Sequence, residues 1–207
     1  MKRLIITLLI GLYCSFAIAA SAQDPMAMLQ SVSDQMISAL KKERPNLKKD
    51  PSLIYQLTNR ILVPHADVAG MSRSVLGREA WQNATPAEQK AFTQAFKDVI
   101  IRTYSGALNA YTDETIKFHP LRGGYAGKRT VEISSDIIRT DGPSVPVNYR
   151  LALLNGEWKV YDLNVEGVSL LQSFRSQLSA ELSQGKTVGQ IAEDLQQRHQ
   201  QKSSERS

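Results

Sequence analysis

Asp162 and Glu166 share one short junction, YDLNVEGVSLLQSFRSQL, over residues 161–178. Two carboxylates beside a strand-to-helix turn are the residue types that general acid–base chemistry uses. The same types also bind free backbone N–H groups at a helix start, where negative charge is favoured. Spacing alone does not define an acid–base pair. The junction is therefore read as structural, with Asp162 and Glu166 capping backbone donors and Glu166-Gly167 turning the chain into a helix. No residue is assigned as catalytic.

His65 and Asp67, in the tripeptide His-Ala-Asp, suggest two metal ligands. The remaining histidines, His119 and His199, fall in a strand and in the tail, and no HExxH or CxxC is present. A closed metal site needs a third and fourth ligand at suitable spacing, so neither metal nor cofactor is assigned. Ser72, Ser74 and Ser169 lack the G-x-S-x-G context of a nucleophile elbow. The glycine-rich LRGGYAG at 121–127 does not follow the strand-to-helix order of a phosphate loop. It reads as a loop between strands.

The elements that position these residues follow from periodicity. The chain opens MKRLIITLLIGLYCSFAIAASAQD, with Lys2 and Arg3 before an apolar run and the small-x-small motif Ala20-Ser21-Ala22. This is the pattern of a secretory signal peptide, and the run is short for a span of ~20 apolar residues. Cleavage is expected after Ala22, with export to the periplasm. The single cysteine, Cys14, follows Tyr13 inside the leader, so the exported chain carries no thiol. The leader holds two basic residues and no acidic ones, so the net charge falls from +5 to +3 on its removal. That small charge, without basic residues interleaved with aromatics, gives no reason to expect a nucleic-acid partner.

Residues 23–196 read as one domain and 197–207 as a polar, disordered tail. Asp24-Pro25 starts a helix with Met28, Leu29, Val32, Met36 and Leu40 on one face. A charged break over 41–49 contains Pro45 together with Lys41, Lys42, Arg44, Lys48 and Lys49. Asp50-Pro51 starts a second helix, and a short third ends at Gly77. Thr85 and Glu88 form a capping box around Pro86, opening the longest helix, about 40 Å at 1.5 Å per residue. Alternating apolar residues then mark strands at Ile116–Phe118, Val131–Ile137, Val145–Leu153 and Trp158–Val165. Asn155-Gly156 is a hairpin signal. Thr187 and Gln190 open a terminal helix. The fold class is α+β: a curved antiparallel meander packed on the long helix, with further helices closing its ends. From periodicity alone, the apolar faces read as an ordinary dry core.

Two segments carry a resemblance. MSRSVLGREAWQNATPAEQKAFTQAF, residues 71–96, resembles one signature of the MlaC / toluene-tolerance family: a helix ending in Leu-Gly, an aromatic, a Thr-Pro helix start and an F-x-x-x-F pair. GEWKVYDLNVEGVSLLQSFRSQL, residues 156–178, resembles the other, with its W-x-x-Y-D strand and E-G-V-S turn. The family implies a soluble periplasmic phospholipid carrier with no catalytic residues. It would work between an outer-membrane lipoprotein–porin complex and an inner-membrane ABC transporter with a periplasmic lipid-binding component. The implied fold is an NTF2-like cone around an apolar lipid cavity, in a monomer. The expected cavity walls are Phe92, Phe96, Val99, Ile100, Thr103 and Tyr104 on the long helix. Val131, Ile133, Val147, Tyr149, Leu151, Leu163 and Val165 are expected on the sheet, and Val168 and Leu171 past the turn. Two alternatives differ in what the cavity holds. An NTF2-like enzyme on an apolar substrate needs a carboxylate or histidine inside it, and a ligand-free adaptor needs it filled.

Overall fold

The computed structural model describes residues 23–47, 49–50, 52–109 and 113–204. The leader over 1–22 and Lys48 of the basic cluster lie outside the described residues. Helix α1 spans Pro25–Leu47, α2 Ser52–Ile61, α3 Val68–Leu76, α4 Arg78–Asn83 and α5 Pro86–Asn109. Strands β1 (Thr115–Phe118), β2 (Thr130–Ile138), β3 (Val145–Leu154), β4 (Glu157–Val165) and β5 (Val168–Ser169) follow, then α6 (Leu170–Ser183) and α7 (Val188–Ser204).

Both capping boxes form. The Thr85 N–H donates to Glu88 Oε2 at 2.8 Å, and the Glu88 N–H donates to Thr85 Oγ1 at 3.3 Å. The Thr187 N–H donates to Gln190 Oε1 at 2.9 Å, and the Gln190 N–H donates to Thr187 Oγ1 at 3.2 Å. The expected break at 41–49 does not occur where Pro45 stands, because α1 continues to Leu47. Leu47 is buried with Leu40, Ile54 and Leu57, and that packing outweighs the hydrogen bond that proline removes near the helix end. Helix α7 likewise runs on through Ser204, into the segment read as a disordered tail.

The sheet is an antiparallel meander in the order β1-β2-β3-β4-β5. Asn155 and Gly156 have φ of 51° and 84°, the left-handed pair that a two-residue hairpin of type I′ requires. Glu166 and Gly167 repeat it at 52° and 86°. The junction is therefore a second hairpin, pairing Val165 with Val168, and α6 starts only after Ser169. A bulge opposite Arg150/Leu151 leaves Tyr161 as the extra residue. It brings Leu163 and Val165 into line with Tyr149 and Val147, and sets Asp162 opposite Arg150.

The interior has three apolar clusters. Met28, Leu29 and Val32 of α1 cover Val131, Ile133, Leu151 and Trp158 of the sheet. Phe92 and Phe96 of α5 pack with α3, α6 and α7 instead. Met36 and Leu40 pack with α2. Of the expected contact between long helix and sheet, Tyr161 and Leu163 of β4 pack against the α5 cluster. Over Val131, Ile133, Leu151 and Trp158 the sheet face is covered by α1, with Ile61 and Leu62 packed beside it.

Candidate functional site

The residues expected to wall a cavity fall into distinct settings. Phe92 and Phe96 are fully buried, with stacked rings 5.7 Å apart, and Phe174 meets Phe96 edge-on at 5.2 Å. Leu171 joins this cluster, with Val99, Ile100 and Leu163 partly buried around it. Val131, Ile133 and Leu151 are buried beneath α1, with Tyr149 partly buried beside them. Val147 is buried and Val165, its partner across the strands, is half-buried. Thr103 and Tyr104 are exposed on α5, and Val168 is 62% exposed on the edge strand. These three do not reach the interior: α5 turns them away from the cluster, and the extra hairpin carries Val168 outward.

Val99, Ile100 and Leu163 are half-buried against the α5 cluster, and Leu163 pairs across the strands with Tyr149, with Val165 two residues further along the same half-buried sheet face. The face's polar content includes one hydroxyl pair, in which Ser135 Oγ donates to Tyr149 Oη at 3.3 Å. Burial raises the Tyr149 phenol above its ordinary pKa, so it stays neutral at neutral pH.

The carboxylates at the junction behave differently from one another. Asp162 is 2% exposed. It accepts the Ser169 hydroxyl at 2.8 Å and the Leu171 N–H at 3.1 Å, with Arg150 at 3.7 Å. It is the expected cap. Glu166 is not: its residue is exposed at the hairpin tip, where its backbone N–H donates to Pro146 O at 3.0 Å.

Asp67 caps α3, accepting the Gly70 N–H at 2.9 Å. Its own N–H donates to Val160 O at 2.9 Å, which holds the His65–Asp67 segment against β4. Burial, and then the charge of Lys159, lowers the His65 pKa. His119 instead sits 2.8 Å from Asp136 across β1 and β2. Among the described residues no three His, Cys, Asp or Glu side chains are placed to hold a metal ion. Ser72 is fully buried, donating to Val68 O at 2.8 Å. An open groove of about 840 Å³ runs between α1 and α2, lined by polar and small side chains such as Gln30, Asp34, Ser38 and Arg60. It includes none of the expected wall residues.

The sequence reading missed the role of α1 in covering the sheet. The apolar stripe of Met28, Leu29 and Val32 is plain, but a stripe does not name its partner.

Residues 30–197 match the family model described as MlaC protein. The chain belongs to the MlaC family. Two relatives agree with that placement. The toluene tolerance protein ttg2D of Pseudomonas putida is 30% identical over 162 residues, spanning 78% of this chain and 74% of that protein. The intermembrane phospholipid transport system binding protein MlaC of Haemophilus influenzae is 26% identical over 172 residues, spanning 81% and 79%. Among solved structures, a phospholipid-binding protein from Ralstonia solanacearum, in complex with a phospholipid, is 30% identical with a TM-score of 0.79. That likeness covers 86% of this chain and 98% of the other. As an MlaC-family chain, this protein combines an open five-stranded meander with seven α-helices among its described residues. None of these helices is long and apolar enough to cross a membrane.

Proposed function

We propose that this protein is a periplasmic phospholipid carrier. The observation that carries the reading is the half-buried apolar seam on a fold shared with a protein solved around a phospholipid. Each exposed methylene costs roughly 0.8 kcal/mol in water, so two acyl chains need an almost complete apolar enclosure. The seam between the α5 cluster and the α1-covered sheet offers that surface once its half-buried side chains part. The resulting container is the NTF2-like cone, with Val99, Ile100, Tyr149, Leu163 and Val165 nearest the lipid. Phe92, Phe96, Val131, Ile133, Val147, Leu151 and Leu171 form its outer layer.

The carrier is a monomer that takes lipid from one membrane complex and delivers it to another. Its partners are an outer-membrane lipoprotein–porin complex and an inner-membrane ABC transporter with a periplasmic lipid-binding component. The reading assigns no catalytic residue, and gives the junction carboxylate Asp162 the role of holding the start of α6. Native mass spectrometry of protein purified from the periplasm without added lipid tests the reading. A co-purifying phospholipid is expected. An empty chain that also fails to take phospholipid from vesicles would refute it and favour an adaptor with a filled core.

A further inference from the structure

The loop joining β1 to β2, residues 119–129, reads HPLRGGYAGKR. It carries Arg122, Lys128 and Arg129 and no carboxylate. All three residues are exposed, and none of them forms an ion pair among the described residues. The carboxylates flanking the loop on β2 and β4 are already matched. Glu132 Oε2 lies 3.3 Å from Arg150 Nε, and Glu157 Oε2 lies 2.7 Å from Lys159 Nζ. At the opposite end of the sheet, the β2–β3 loop carries Arg139 close to Asp141, and the β4–β5 tip adds Glu166. The unmatched positive charge on the loops therefore gathers at one end.

The loop holds these cations in place. Leu121 and Tyr125 are partly buried against the Trp158 cluster, and the Tyr125 ring meets Trp158 edge-on at 6.4 Å. The Lys128 N–H donates to Tyr125 O at 3.1 Å, and the Leu153 N–H donates to Arg129 O at 2.8 Å. Lys128 also folds back across the loop. Its Nζ lies 3.5 Å from where a Cβ on Gly123 would stand, beside the residue that follows Arg122. Gathering like charges on a fixed loop works against folding, so the arrangement answers something outside the chain. Leu154, 37% exposed where β3 ends next to the loop, adds an apolar contact. Between the cations the loop presents Gly123, Gly124, Ala126 and Gly127, which give a shape-selective partner little to recognise. A fluid anionic surface needs no such shape.

We propose that this loop is a landing surface for an anionic phospholipid bilayer, with Arg122, Lys128 and Arg129 against the headgroup phosphates and Leu154 at the interface. Three cations fall short of the roughly four to eight in a polybasic membrane anchor, so the contact is brief and screened by salt. On the carrier reading, such contact keeps the protein near a membrane between transfers and leaves the β2–β3 end of the sheet free. Adsorption itself does not depend on that reading, since it needs no lipid inside the protein.

Flotation of the chain from Gln23 onward tests the surface, with vesicles of phosphatidylcholine alone or mixed with phosphatidylglycerol. At low salt the partition coefficient should be about 100-fold higher on the anionic vesicles, from about fivefold for each cation. At high salt the difference should disappear. Replacing Arg122, Lys128 and Arg129 with glutamine together should abolish it at low salt and leave the melting curve unchanged. The same replacement of Lys41, Lys42 and Lys49 should keep most of it. A chain beginning at Gln23 has no cysteine, so a polarity-sensitive dye can report orientation. On Ala126→Cys, in the loop, the dye should brighten with anionic vesicles. On Ser144→Cys, at the other end of the sheet, it should not. Equal partition on the two vesicles, equal loss in the two glutamine variants, or brightening at position 144 instead of 126 would overturn the landing surface. Each of these results would leave the carrier reading to its own test, the co-purification of phospholipid.

Discussion

Asn in place of Asp162 keeps the side chain's shape and removes its charge. Asp162 is 2% exposed and serves two donors at once, the Ser169 hydroxyl at 2.8 Å and the Leu171 N–H at 3.1 Å. The amide has one carbonyl oxygen, so one donor loses its partner and the other keeps a neutral bond in place of a charge-assisted one. That change costs on the order of 2–3 kcal/mol. Arg150, at 3.7 Å with a half-exposed side chain, adds little because solvent screens it. In a chain of this size about 1 kcal/mol moves Tm by about 2–4 °C, so the midpoint should fall by roughly 5–10 °C. Thermal unfolding followed by circular dichroism measures it. A double-mutant cycle with Ser169→Ala should show strong coupling, because both residues hold the same helix start. Retained lipid, weighed by native mass spectrometry, should be unchanged below the transition. A midpoint within 1 °C or so of wild type would refute the capping role. A stable variant that lost a chemical turnover would revive the enzyme reading.

Four further outcomes are expected. A Cβ at Gly70 would lie 1.9 Å from Asp67 Oδ2, so Gly70→Ala should expel the α3 cap and cost about 1–2 kcal/mol in urea melts; in an Asp67→Ala background the same change should be near neutral. Backbone and then side-chain hydrogen bonds from Thr85 hold the Glu88 carboxyl below its ordinary pKa, so its contribution is full above the ordinary carboxylate range and is lost as pH falls through the lowered value. The melting difference between wild type and Glu88→Gln should therefore be present at neutral pH and vanish in acid. Leu151 is fully buried, so Leu151→Glu should unfold the chain by burying a carboxylate without a partner, whereas Leu163→Trp in the half-buried seam should keep a cooperative melt and lose bound lipid. Replacing the exposed Lys41, Lys42 and Lys49 with glutamine together should slow lipid transfer between partner-bearing liposomes at low salt and match wild type at high salt, where charge steering is screened.

Local signals carried most of the elements. Thr85 with Glu88, Thr187 with Gln190 and Asn155-Gly156 each name a backbone geometry through their own side-chain chemistry, and each forms as read. The second hairpin was hidden because Glu166 occupies a left-handed position that Asn, Asp or Gly usually fills; only Gly167 hinted at it. Pro45 misled in the opposite sense, since burial of Leu47 is a tertiary effect that no local rule contains. The bulge at Tyr161 shifts the alternation of β4 by one residue. Without it Asp162 would share a face with Trp158 and Val160, so the side of the sheet that meets α6 was not legible. For the candidate site, the apolar faces of α1 and α5 have the same helical period. Period alone cannot decide which one covers the sheet.

The division between those faces bears on how a carrier of this shape can open. Phe92, Phe96 and Phe174 interlock, with Phe92 and Phe96 at no measurable exposure, and α5 and α7 are joined where Glu88 also accepts the Gly189 N–H. Parting that body would expose three aromatic rings and break a cap shared by two helices. The sheet is tied to it chiefly through β4, by Leu163 and Tyr161 and by the Asp162 bonds to the start of α6. On the carrier reading, acyl chains therefore enter at the seam beside β4, where side chains are already half in contact with solvent. The junction that first suggested catalysis then has a mechanical role. Asp162 keeps α6 fastened to the strand while the apolar faces on either side separate, so lipid is admitted without loosening the helical body.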